Sequence, residues 1–161
     1  MSRNHPQFDA LGIGQADLTE RVAEAMRSVS RAYVETVVAT LAQHGFAGLT
    51  AATISLLAMV PAEGARAVDL GRSTGRTKQA AGKLIGELQI NGYVTRVADP
   101  HDRRGFLVQA TERGTAALAC GAQVKDQLAG RAVDVLGTEA LERLHRDLAA
   151  LEDVFRDQVM R

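Results

Sequence analysis

This chain of 161 residues has no tryptophan, a single cysteine, three prolines and only 4% aromatic residues. Cys120 has no second cysteine to pair with, which excludes an intramolecular disulfide framework and fits a reducing compartment. So few large rings alongside abundant Ala, Leu and Val favour helix-on-helix packing over a sheet sandwich. No apolar run approaches bilayer length, and Met1-Ser2-Arg3-Asn4-His5-Pro6 lacks the apolar stretch of a secretion signal. The expectation is a cytoplasmic chain without membrane contact. Its histidines, His5, His44, His101 and His145, lack metal-ligand spacing, and no zincin or serine-hydrolase motif occurs. Gly71 to Lys78 resembles a phosphate loop in composition only, because it lacks contiguous Gly-Lys-Ser/Thr and follows a helix instead of a strand. Neither an enzyme nor a metal or cofactor site is expected.

Net charge is also missing, with 19 basic and 19 acidic residues, but the two signs are not mixed evenly. Residues 66–104 hold eight basic side chains against four acidic ones, whereas residues 1–65 hold four against six and residues 105–161 seven against nine. A positive segment between two negative flanks is the charge footprint of a polyanion reader, although solvated faces can produce the same pattern.

What is present is a series of helical stripes interrupted once. Residues 1–17 show no sustained periodicity and read as a flexible arm. From Leu18 the apolar positions Val22, Met26, Val29, Tyr33, Val37 and Leu41 recur at helical spacing up to the His44-Gly45 stop. Thr50 caps a second helix to about Met59, and Val68 to about Thr74 is a short third. Thr77 caps a fourth, which runs to Asn91-Gly92. Tyr93–Ala98 and Gly105–Ala110 then read as two strands joined by a charged turn. Thr111 opens a long helix ending at Leu136-Gly137, and Thr138 caps the last, with a stripe from Leu141 to Val159. The outline is mainly α: a winged helix-turn-helix with a small β-wing and long terminal helices. It divides into an arm (1–17), an N-terminal helix (18–48), a winged-helix region (49–110) and two C-terminal helices (111–161).

The turn Asp99-Pro100-His101-Asp102-Arg103-Arg104 and the later Thr111-Glu112-Arg113-Gly114 resemble the wing pattern of the MarR family of bacterial transcriptional regulators, Asp-Pro-x-Asp-x-Arg followed by a strand and Leu-Thr-x-x-Gly. Ala110 stands where the family usually has Leu, and Thr53 where many members have Gln. The resemblance implies a homodimer held by the terminal helices, double-stranded DNA with a pseudo-palindromic operator as partner, a repressor role and a small-molecule effector. In the family such ligands lodge near the region that here includes Tyr33, His44, Phe46 and Met59, but such residues are more often plain core, so none is assigned as a ligand site. An effector-independent architectural protein and a winged helix used for protein docking are the alternatives.

In a helix beginning at Lys78, positions Ala81, Leu84, Ile85 and Leu88 share the inward face, leaving Lys78, Gln79, Gly82 and Lys83 outward. Gln bonds adenine in bidentate fashion and Lys donates to guanine, so Gln79 and Lys78 are the candidate base readers. Arg76, Thr77 and Lys83 suit phosphates, and Gly82 lets the helix sit deep. In the wing, Asp102 can orient Arg104 for the minor groove, with Arg103 a second contact. A turn-shaping salt bridge is the other role open to Asp102 and Arg104. Cys120 is expected to be buried packing.

Overall fold

The computed structural model describes residues 15–159, and of positions 15, 16, 103, 104, 158 and 159 the backbone alone. Six helices and one two-stranded sheet follow in the order α1 (Gln15–Gln43), α2 (Ala51–Leu57), α3 (Ala67–Ser73), α4 (Lys78–Ile90), β1 (Val94–Asp99), β2 (Asp102–Ala110), α5 (Glu112–Leu136) and α6 (Thr138–Val159). The expected mainly helical winged helix-turn-helix is the observed fold. Helix α1 is already formed at Gln15, so the arm expected over 1–17 lies, apart from its last three residues, outside the described residues.

Short polar caps explain where α2, α4 and α5 start. Thr50 and Thr53 cap α2 reciprocally: the Thr53 amide donates to Thr50 Oγ1 (3.2 Å), and the Thr50 amide donates to Thr53 Oγ1 (2.7 Å). The Thr53 that departs from the family's usual Gln is therefore a buried cap residue. Thr77 accepts from the Ala80 amide at the start of α4, and Thr111 from the Gly114 amide at the start of α5. Between α3 and α4 the chain reverses through Gly75, whose φ of +63° is the left-handed region that favours glycine. Helix α6 begins at Thr138 itself, after Gly137 ends α5.

The core lies where the helix-turn-helix meets the ends of α1 and α5. Val37 and Leu41 of α1, Leu56 and Leu57 of α2, Leu70 of α3 and Ile85 and Leu88 of α4 are buried, with Ala117 and Val124 of α5. The expected long stripe of α1 therefore divides. Its C-terminal end is core, while Met26, Val29 and Tyr33 are exposed in the single chain. Tyr33 and Met59, placed by sequence among possible core residues, are 43% and 53% exposed, and Cys120 is half-buried. Among its described side chains, helix α6 contributes no buried residue.

One side chain ties the core to the joint between modules. Tyr93 is fully buried, and its hydroxyl donates to the Ala47 carbonyl at 2.8 Å. Arg113, at the start of α5, lies over the Tyr93 and Phe46 rings at 4.8 and 5.6 Å from their centroids. It also donates to the Gly45 carbonyl (2.8 Å), the Asn91 carbonyl (3.3 Å) and the Tyr93 hydroxyl (3.3 Å).

Candidate nucleic-acid interface

Helix α4 presents its polar face as its periodicity requires. Ala81, Ile85 and Leu88 are buried and Leu84 packs partly against the core, while Thr77, Lys78, Gln79, Gly82 and Lys83 are exposed. Arg76 is half-buried, with its amide donating to the Gly71 carbonyl at 2.8 Å. A Cβ on Gly82 would meet nothing within 4 Å, so no packing inside the chain calls for glycine there.

The wing starts earlier than its composition suggests. β1 and β2 pair antiparallel from Val94↔Ala110 to Ala98↔Phe106, and after an irregularity the ladder closes at Asp99↔Asp102. The second strand thus begins at Asp102, three residues ahead of the expected Gly105, because Asp99 Oδ1 accepts from the His101 amide (2.9 Å) and stops the turn at Pro100-His101. Val94, Arg96 and Ala98 share a face with Phe106, Val108 and Ala110, by the alternation of paired strands. Val94 and Val108 are buried there, but packing ends before the tip, where Arg96 is exposed and Phe106 is 61% exposed.

Between this face and α4 lies a groove of about 450 Å³, lined by Arg66, Lys78, Gly82, Arg96, Asp102 and Phe106 among others. It brings two of the expected α4 residues and one expected wing residue together. Gln79, Lys83, Thr77 and Arg76 lie outside its lining. The backbone of Arg103 and Arg104 is in β2, and their side-chain roles lie outside the described residues. Sequence reasoning passed over Arg66 and Arg96 as individual residues, and its alternation put Phe106 on the face that packs on the helices, whereas Phe106 is exposed. Arg96 was visible only as part of the positive segment, and an alternating strand gives no sign of where its packing stops.

Sequence reasoning also missed the best-defined ion pair. Arg66 Nε and Nη2 both approach Asp99 Oδ2, at 2.7 and 2.6 Å, and Nη2 lies 3.7 Å from Asp102 Oδ2. Asp102 thus has Arg66 as a cationic neighbour, a partner other than the Arg104 proposed from sequence. The His101 amide and then the Arg66 guanidinium hold the Asp99 carboxyl below its usual range, and Asp99 in turn raises the Arg66 pKa. With a depressed folded-state value, Asp99 contributes stability that is fully present above its unfolded pKa of about 3.9 and is lost as pH falls through the folded value. A carboxyl ¹³C titration should therefore show Asp99 protonating below the ordinary aspartate value of about 3.9, and a normal midpoint would mean that the pair does not persist in solution.

No helix among the described residues is long and apolar enough to cross a membrane, and no group of potential metal ligands is clustered among them. The elements together define a winged helix-turn-helix with long helical extensions. Residues 44–105, the span from the α1 stop to the wing, match the model of the MarR family, so this region of the chain is similar to that family's winged helix. The whole fold is similar to the crystal structure of a MarR family transcription regulator (TM-score 0.73, 21% identity, 91% of this chain and 96% of that one). It is also similar to FabT of Streptococcus pneumoniae in complex with DNA (0.71, 16%, 87% and 99%) and to the reduced form of MarR from E. coli (0.64, 21%, 80% and 94%). Comparison with curated protein sequences gives no match.

Proposed function

We propose that this protein is a homodimeric DNA-binding transcriptional regulator, a repressor of a pseudo-palindromic operator whose affinity a small molecule adjusts. The carrying observation is the pairing of an exposed polar α4 face with a wing across one groove, in a segment that carries eight basic against four acidic residues. In such a dimer α4 enters the major groove, with Gln79 and Lys78 on base edges and Thr77, Arg76 and Lys83 on phosphates. Gly82 leaves room for close approach. The wing, with Arg103 and Arg104 in β2 and Asp102 beside them, reaches the adjacent minor groove. The FabT structure, which is a DNA complex, supports this assignment by similarity of fold.

Dimerisation is supported by the apolar surface left on the terminal helices. Val29, Val135, Val154 and Phe155 are 70%, 79%, 56% and 44% exposed, and no described side chain of α6 is buried in the core of its own chain. Room for an effector is supported by a small cavity of about 150 Å³ where α1, α2 and α5 meet, lined by Tyr33, Val37, Ile54 and Lys125 among others.

Titration of the protein with duplex DNA at increasing salt tests the reading. The logarithm of affinity should fall linearly with the logarithm of salt, at about 0.9 per phosphate neutralised, and sedimentation should give one species near twice 17.2 kDa. Absence of salt-dependent binding would leave protein docking as the role of the winged helix. Binding that no small molecule relieves would leave an architectural role.

A further inference from the structure

Arg66 occupies a position for which it is poorly suited by local rules. It is the N-cap residue of α3, where Ser, Thr, Asp or Asn would accept a backbone hydrogen bond, and its side chain makes no cap bond. That side chain is instead committed to a carboxylate 33 residues away, at the far end of β1. A residue that breaks a local preference while making a specific long-range contact is serving the wider structure.

The contact matters because of how the wing is otherwise attached. β2 is joined to the segment before α3 by one backbone rung, Ala65↔Val108, with the Ala65 amide donating to the Val108 carbonyl (3.0 Å) and the Val108 amide to the Ala65 carbonyl (2.8 Å), and by Gln109 Nε2 donating to the Ala62 carbonyl (3.0 Å). These contacts, like the buried Val94 and Val108, all lie at Val108 or behind it, which leaves the outer half of the ribbon to pivot. Val108 faces Arg96, and Asp99 lies three residues further along β1, which at ~3.3 Å per residue is about 10 Å nearer the tip. Arg66 therefore supplies a second fixed point on the wing, and two separated points set an angle. The Asp99 side chain is 3% exposed against 46% for Arg66, so the acceptor is shielded and the pair is less screened than an ordinary surface bridge.

We infer that Arg66 is the positioning residue of the wing: clamped on Asp99, it fixes the wing's angle to the recognition helix α4 and does not itself neutralise a phosphate. This rests on the DNA-binding reading for its consequence, but not for its geometry. A phosphate-binding Arg66 and a positioning Arg66 predict opposite signs for one isosteric change. If Arg66 contacts DNA, Asp99→Asn removes a nearby negative charge, releases the guanidinium, and leaves DNA affinity unchanged or raised. If Arg66 positions the wing, the same change lowers affinity although the protein has become more positive.

The test compares wild type, Asp99→Asn, Arg66→Ala and Arg66→Lys. Hydrogen exchange of the DNA-free proteins should show faster exchange at Ala65 and Val108 in the first two variants, with the α4 and α5 amides unchanged. Arg66→Lys should fall between, since it keeps the charge without the two-nitrogen grip. With a bound duplex, Asp99→Asn and Arg66→Ala should each bind about tenfold more weakly, the cost of ordering a loosened element on binding. Hydroxyl-radical protection should fade at the wing's minor-groove positions and persist beside α4. Unchanged exchange at Ala65 and Val108 in both variants would overturn the inference, as would Asp99→Asn binding DNA as tightly as wild type. Should the wild-type protein fail to bind DNA, the functional reading fails, and the exchange experiment alone still decides whether the clamp holds the wing.

Discussion

Gly114→Ala should destabilise the protein by about 3 kcal/mol, the upper part of the range for forcing extra volume into a packed interior. Near the start of a long helix, alanine is ordinarily favoured over glycine by about 1 kcal/mol, so the expected sign reverses the local preference. The cause is backbone crowding. A Cβ at position 114 would stand 2.1 Å from the Tyr93 carbonyl oxygen and 3.4 Å from Leu57 Cδ1. That carbonyl cannot withdraw, because it accepts from the Thr111 amide at 3.0 Å and belongs to a fully buried residue. At this chain length the melting temperature should drop by roughly 10 °C. Gly82→Ala is the matched control: with nothing within 4 Å of its added methyl, it should gain up to about 1 kcal/mol. Equal melting temperatures for Gly114→Ala and wild type would show that α5 can shift away from β1, contrary to the packing described.

Removal of Gln79 or Lys78 should cost roughly 1–3 kcal/mol of operator affinity, concentrated at particular base pairs, whereas Lys83→Ala should weaken binding to every sequence and flatten its salt dependence. All three side chains are exposed on α4, so none of the losses should alter the melting temperature by much. They differ in position along the helix. Lys78 and Gln79 follow the Thr77 cap directly, at the end that leads into the groove in the proposed complex, and Lys83 lies more than a turn further on. Selection of bound sequences from a random pool by each variant separates the two classes. A Gln79→Ala protein with the wild-type sequence preference would move the base-reading role elsewhere on the chain.

Local chemistry was the legible part of this molecule. Thr50, Thr77 and Thr111 announce helix starts because a cap hydroxyl acts within three residues, and Gly75 announces a turn because its φ is one that other residues avoid. The α4 face followed from a 3.6-residue period, so Lys78, Gln79, Gly82 and Lys83 could be placed outward before any coordinates. Contacts between distant segments were not legible. Nothing in the residues near Arg66 points to Asp99, and the start of β2 at Asp102 depends on the Asp99 carboxylate accepting the His101 amide. Exposure was also hidden. Phe106 and Val108 are equivalent in an alternating pattern, yet the helices reach only as far as Val108. Tyr33 likewise belongs to a stripe that is core at one end and open at the other.

The Arg113 junction has a mechanical meaning. One guanidinium bonds or stacks on the α1–α2 connection, the end of α4 and the start of β1 while being rooted in the first turn of α5. Four segments that share a rivet turn together. In an assembly of two chains, the spacing between the paired reading heads is then controlled by flexure further along the long helices, as the span of a pair of calipers is set at the arms and not at the tips.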